Sequence, residues 1–364
     1  MKTTPSIVRS SRGPQKRAVA IQSGGLLRLP PWRDPRNDAD RRPRGFTLLE
    51  LLVAVSITVL LVGLILAVTT GVLNLWRRTQ GGFGAGAEAK LALDLLERDL
   101  QAALYRTDGN TWLAVDVTTS AAGLGNRGWL TSGPTKPATA ESLRLLPEPD
   151  AGGVRHLSEA RFGLSGAWLR FIASTAESSS EPGLPRAIAY QICRRPVTGP
   201  VNETNPAALR YTLFRAAVAA DSTFAAGYNL LAGNYASTSA TPSATRNPAT
   251  ITNPNNADAL ASNVIDFGVW LHVRQADGSL RQIFPASAGD LSHAARSGGD
   301  EMPQVADVML RILSEEGATL IENIERGRLT RPPQHATDAE WWWAVAEANS
   351  RVYTRRIEIK GGAL

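Results

Sequence analysis

The side chains able to do chemistry are few and scattered. His156, His272, His293 and His335 stand too far apart to form an HExxH pair, and the single cysteine, Cys193, excludes an internal disulfide and any CxxC zinc site. No GxSxG elbow and no GK[ST] phosphate loop occurs. Gly163-Leu164-Ser165-Gly166 reads as a turn that happens to carry a serine, and Cys193 reads as a small packed side chain at a strand end. His272 has only Asp266 near it in sequence, six positions back, so a solvated histidine is expected. Asp300-Glu301 and Glu315-Glu316 lack the Asp/Asn-Gly loop of a calcium site. These patterns supply no catalytic, cofactor-binding or metal residue, and they argue against a metallohydrolase.

What remains is one carboxylate in an apolar run. Residues Phe46 to Leu75 read FTLLELLVAVSITVLLVGLILAVTTGVLNL, and Glu50 is the only charge among them. The 18 residues from Leu51 to Val68 are all apolar, small or hydroxylated, which is one bilayer crossing and longer than a secretory h-region. Lipid requires the backbone to satisfy itself, so the segment must be helical. A carboxylate there costs roughly 2.5–3.5 kcal/mol at mid-bilayer and less near the interface. Two readings of Glu50 stand on spacing alone. It either snorkels to the interface or meets a cation from outside its own helix.

Charge sets the orientation. The formal net charge is +6, but residues 1–45 hold 11 basic and 3 acidic side chains, a net of +8, and the remainder nets −2. The folded part therefore lacks the electrostatic footprint of a nucleic-acid binder. Arg41, Arg42 and Arg44 abut the apolar run, which keeps that end cytoplasmic and sends the remainder outward. Residues 1–40 are rich in Arg, Pro and Ser and read as disordered.

The stretch RGFTLLELLVAVSI resembles the class III signal peptide of type IV pilins and pseudopilins. The resemblance implies cleavage between Gly45 and Phe46 by a prepilin peptidase, N-methylation of Phe46, and a helix-assembly role for Glu50. Its partner would be the N-terminal ammonium of a neighbouring subunit, as a charge buried in lipid demands. The 45-residue leader is longer than is usual in that family.

The elements beyond must present a domain on that helix. Gly81, Gly82, Gly84 and Gly86 predict a soft joint near 77–86. Helix resumes over 87–106, with Ala89, Leu93, Leu96, Leu100 and Leu104 on one face and Lys90, Asp94, Glu97, Arg98 and Gln101 on the other. Strands are predicted at 142–146, 168–173, 187–193, 209–215, 264–274, 280–284, 305–313 and 352–359, with Asp277-Gly278 as a hairpin turn. In the 264–274 strand, Ile265, Phe267, Val269, Leu271 and Val273 share one face and Asp266, Trp270, His272 and Arg274 the other. Helices are predicted at 314–326 and 338–349, the latter opened by Thr337 and Glu340 as a capping box. Residues 236–262 read as a disordered surface insertion, and 118–140 as a shorter one. On a helix the rings of Trp341, Trp342 and Trp343 spread over nearly a whole turn, so at least one is expected to be exposed or in a subunit contact.

The fold class is α+β: a long N-terminal helix packed on an antiparallel sheet. The divisions are a basic leader over 1–45, a transmembrane helix over 46–76, its amphipathic continuation over 77–106, and a β-rich domain over 107–364. Leu96–Gln101 (LERDLQ) and the Pro-opened Met302-Pro303-Gln304-Val305 resemble J-type minor pseudopilins of type II secretion, and ANSRVYTRRIEI resembles the Verru_Chthon cassette protein C family. The resemblance implies a non-enzymatic inner-membrane subunit with its C-terminal domain in the periplasm. It would assemble into a type II secretion pseudopilus or a type IV pilus-like filament, at or near the tip. Implied partners are the prepilin peptidase, other pilin-like subunits, the inner-membrane assembly platform with its ATPase, and membrane lipid. A membrane-anchored adhesin or binding module using the same leader is the alternative.

Overall fold

A computed structural model describes residues 47–122, 124–130, 135–175, 183–196, 209–235, 248–295, 301–360 and 362–363, without the side chains of 74–83. The leader, Gly45, Phe46, Asp300 and residues 236–247 lie outside the described residues. The chain forms two compact units, Met1–Leu66 and Ala67–Leu364.

Helix α1 (Leu48–Gln101) is a single element of 54 residues. It runs through 77–86, where a joint was expected. Glycine costs about 1 kcal/mol per helical residue relative to alanine, too little to stop a helix continued by good helix formers on both sides. After α1 come β1 (Leu104–Tyr105), β2 (Leu113–Val117), β3 (Leu143–Arg144), β4 (Arg161–Phe162), β5 (Ala167–Ser174), β6 (Pro185–Pro196) and β7 (Leu209–Ala217). Helix α2 (Ala220–Ala226) precedes β8 (Ala259–Ser262), β9 (Val264–Arg274), β10 (Leu280–Phe284) and β11 (Ser292–Ala295). The chain closes with β12 (Val305–Leu313), α3 (Glu315–Glu325), α4 (Asp338–Ala348), β13 (Ser350–Glu358) and β14 (Gly362–Ala363).

Two antiparallel sheets dominate the second unit. One has the order β11-β2-β5-β6-β7-β8 and the other β10-β9-β12-β13. Their apolar faces share one core, to which α1 adds Ala89, Ala92, Leu93, Leu96 and Leu100. The fold is thus α+β, as expected. Strands β9, β10 and β12 have the predicted bounds, whereas 142–146 shrinks to a 3-10 turn and the two residues of β3. Ser314 and Thr337 cap α3 and α4 by accepting from Gly317 N and Glu340 N. The Glu340 carboxylate reaches back to Ala336 N rather than to the cap residue.

Four expectations fail, because segments read as loops pack against elements read as partly solvated. Strand β9 is buried on both faces, and Asp266 is fully buried. The 135–162 segment lies over its second face, where Trp270 Nε1 donates to Leu145 O at 3.0 Å and Phe162 N reaches Asp266. Gly268 in mid-strand makes room for this cover, since a Cβ there would stand 2.3 Å from the Phe162 ring. The described part of the supposed insertion, 248–262, is likewise packed. Ile251 O accepts from Trp168 Nε1 and Thr252 O from Gln191 Nε2, with Ile251 and Asn253 buried. The shorter stretch, 118–140, buries Leu124, Trp129 and Lys136. All three tryptophans of α4 are buried, at 8%, 2% and 2% exposure. Trp342 turns to Tyr211 and Glu325, Trp343 lies against Arg161 and Lys136, and Trp341 lines the groove between α3 and α4. Helix α4 is enclosed on several sides, so no ring is left outside.

Candidate membrane and assembly segment

The first turn of α1 is capped by its own residues. Thr47 Oγ1 accepts from Glu50 N at 3.2 Å, and Glu50 Oε2 accepts from Thr47 N at 2.9 Å and from Thr47 Oγ1 at 3.0 Å. This is a reciprocal capping box. Its signature, Thr-x-x-Glu before an apolar run, was legible at Thr47-Leu48-Leu49-Glu50 and went unread. Glu50 thus takes part in the cap of its own helix. It satisfies an orphan N–H of the helix start with one oxygen, and Oε1 has no hydrogen bond among the described residues.

Beyond the cap, Leu48–Leu73 is long and apolar enough to cross a membrane, and none of it is buried by the chain. At ~1.5 Å per residue its 26 residues span ~39 Å. Three of its hydroxyls bond within the helix: Ser56 Oγ donates to Leu52 O at 2.8 Å, Thr58 Oγ1 to Ala54 O at 2.8 Å, and Thr70 Oγ1 to Ala67 O at 3.0 Å. Hydroxyls closed on their own backbone remove the need for water. The segment can lie in lipid or against other apolar helices, and its surface offers no chemistry apart from Glu50.

The ionisable groups of the second unit are committed to holding it together. Asp99, fully buried on the face of α1 that carries Leu96 and Leu100, accepts from Tyr190 Oη at 2.5 Å and from Arg215 Nε at 2.6 Å. Burial and that carboxylate push the Tyr190 phenol well above its ordinary value. The stripe analysis missed Asp99, although its helical spacing placed it among the leucines. Glu325 of α3 accepts from Arg194, Tyr211 and Trp342, and burial raises its pKa against the opposing pull of Arg194. Lys136 Nζ donates to Ile265 O at 2.8 Å and stands 3.7 Å from Asp266 Oδ1. Burial pushes its pKa down to about 8, with Asp266 opposing.

Cys193 is buried with its thiol on Arg127 O, and burial raises its pKa, so it is packed rather than reactive. His272, expected in solvent, is 7% exposed because the 153–158 segment rises beside it. Glu301 pairs with Arg281, and Glu315 lies 3.7 Å from Arg210. Among the described residues no group of three His, Cys, Asp or Glu side chains is placed to hold a metal ion.

Residues 40–66 match the family described as the prokaryotic N-terminal methylation motif. The match contains Gly45, Phe46, Glu50 and most of the uncovered apolar helix. No curated protein and no solved structure matches the chain. The motif supports a prepilin-processed, pilin-like protein. It implies processing by a prepilin peptidase and assembly with other pilin subunits, and with the apolar helix it fits anchoring in the inner membrane. It points to a structural subunit rather than an enzyme.

Proposed function

We propose that the chain is a minor pseudopilin-like subunit that enters a type II secretion pseudopilus or a type IV pilus-like filament through its N-terminal helix, at or near the tip. The methylation motif at 40–66, continued by a helix that nothing in the chain covers, carries the reading. In it, prepilin peptidase cuts between Gly45 and Phe46, Phe46 is methylated, and the inner-membrane assembly platform receives the subunit. The +8 charge ahead of the helix supports a cytoplasmic leader and a periplasmic domain over 87–364. Glu50 would meet the ammonium of a neighbour's Phe46, with the capping box holding the carboxylate on the first turn. An adhesin that displays the tryptophans of α4 is disfavoured, since all three are buried.

Mass spectrometry of the membrane-extracted protein tests the processing step. A mature chain starting at methylated Phe46 is expected, and Gly45→Leu should leave the precursor uncut. A start after residue 60 would indicate ordinary secretion. Glu50→Ala tests assembly. Normal membrane yield with lost co-purification of other pilin-like proteins supports the ammonium contact. Unchanged co-purification would leave assembly to apolar packing alone.

A further inference from the structure

The two large sheets end in four edge strands, and one of these differs from the rest. β11 and β8 have four residues each, and β8 pairs with β7 through a register shift. β10 shifts register between Gln282 and Phe284 and runs into Pro285. Short, bulged or proline-ended edges resist pairing with other chains. β13 has nine residues, all in unbroken register with β12.

The ladder shows which of its backbone groups point outward. Ser314 N donates to Asn349 O, and Ile359 N donates to Gln304 O. Bonded and non-bonded pairs alternate along an antiparallel ladder. The odd-numbered residues of β13 therefore face β12, and Val352, Thr354, Arg356 and Glu358 turn their N–H and C=O groups away from it. Among the described residues nothing bonds this outward row. Thr354, Arg356 and Glu358 are exposed. Such a row bonds an extended backbone, which a helix or a lipid cannot supply.

A cleft of about 640 Å³ adjoins the row, lined by Thr354 and Arg356 together with Asp307, His272 and the 153–158 segment. Side chains of a strand laid on β13 opposite Thr354 and Arg356 point to this side of the sheet. Most charges here are already met. Asp307 receives two bonds of 2.7 Å from Arg356, Arg355 holds Asp94 at 2.5 Å and Glu97 at 2.9 Å, and His156 lies 2.9 Å from Asp150. Glu358, the acid of the row, lies 3.3 Å from Arg274. Arg155 is the exception in the lining. It is exposed and has no carboxylate partner among the described residues, and its Nε donates to Pro147 O at 3.0 Å. With Nε held by the backbone, Nη1 and Nη2 remain as a fork for one carboxylate. Arg351, at the start of β13, is likewise exposed without a carboxylate among the described residues. We propose that β13 is a docking edge for an extended acidic segment of a partner protein, which adds as a fifth strand and sets one carboxylate on Arg155.

The test is calorimetric titration and amide hydrogen exchange of the full chain in detergent, with two synthetic eight-residue peptides as probes. One alternates valine with glutamate and the other valine with lysine. The glutamate peptide should bind in the millimolar range or tighter and slow exchange at the amides of Val352, Thr354, Arg356 and Glu358. The lysine peptide should do neither. Arg155→Gln, at an exposed position, should weaken binding at least tenfold. Thr354→Pro removes an outward N–H and no ladder bond, and should weaken it similarly. Thermal unfolding curves check that both variants fold. The proposal is overturned if the glutamate peptide does not bind at millimolar concentration, if the lysine peptide binds as tightly, if Arg155→Gln binds as the wild type does, or if binding leaves the four amides unprotected. Slowed exchange at those amides on raising the protein concentration alone would assign the edge to a second copy of the chain and overturn it as well.

Discussion

The two halves of α1 settle the same backbone in opposite ways. Over Leu48–Leu73 the Ser56, Thr58 and Thr70 hydroxyls close on the helix itself, and the apolar side chains face outward with nothing from the chain upon them. Over residues 84–101 the helix is tied to the domain, through Glu88 to Ser262 N, Asp94 and Glu97 to Arg355, and Asp99 to Arg215 and Tyr190. The first half carries one acid, held at its cap. The second uses acids along its length as anchors, because the sheets bring arginines to meet them. A carboxylate on a helix is thus a cap, a surface partner or a core anchor according to what lies within reach of it, and residue type alone does not distinguish these.

The sharpest way to break the contrast is at Asp99. Asp99→Ala leaves Arg215 and Tyr190 without their buried acceptor, and about 3–5 kcal/mol should be lost in denaturant unfolding of the second unit. A loss below 1 kcal/mol would make Asp99 equivalent to the exposed acids of the same helix. Gly268→Ala should cost about 1–3 kcal/mol by forcing a methyl into the Phe162 ring. An unchanged melting curve would show that the 135–162 cover is loose.

Lys136 gives a pH signature. Its folded pKa lies below the unfolded value, so the unfolded chain binds more protons as pH rises through about 8, and stability increases with pH. Between about pH 8 and 9.5, below the ionisation of unfolded tyrosine, wild type should gain about 1.5 kcal/mol relative to Lys136→Met. Parallel pH profiles for the two proteins would show that Lys136 is reached by water. The smallest effect is expected at the other end of the molecule. Thr47→Ala removes a cap worth about 1 kcal/mol, and faster hydrogen exchange should appear at the amides of the first turn only, with the second unit unchanged. Equal exchange in both proteins would show that Thr47 does not cap the helix.

Much of the architecture was legible where local pattern suffices. Period-2 alternation placed β9, the Asp277-Gly278 turn placed β10 after it, and Thr337 marked the start of α4. Where reading failed, it failed on cover. His272 and Asp266 were assigned to a polar face, and at least one of the tryptophans to solvent or a subunit contact, because polar residues and a three-ring run look exposed to any rule that sees one element at a time. Asp266 and His272 are buried by the 135–162 segment, which apart from 142–146 was not read as regular structure, while Trp342 and Trp343 meet Tyr211, Lys136 and Arg161 from elsewhere in the chain. Short strands such as β3, β4 and β8 were missed or blurred for a related reason, since two to four residues hold too little pattern to register.

By itself, the sequence determined the membrane-capable apolar segment, the basic run before it and the Thr-x-x-Glu spacing of its cap. These rest on apolar length, charge order and a Thr-x-x-Glu spacing, all local in the chain. Only the tertiary structure decided which acids are buried and what meets them. Asp99 needs Arg215, 116 residues away, and Lys136 needs Asp266, which β9 brings from another part of the chain. The cleft at His272 and Asp307 exists only because four strands and a loop converge there. Burial and pairing are non-local, set by which surfaces find one another when the sheets form, and no spacing within a single element encodes them.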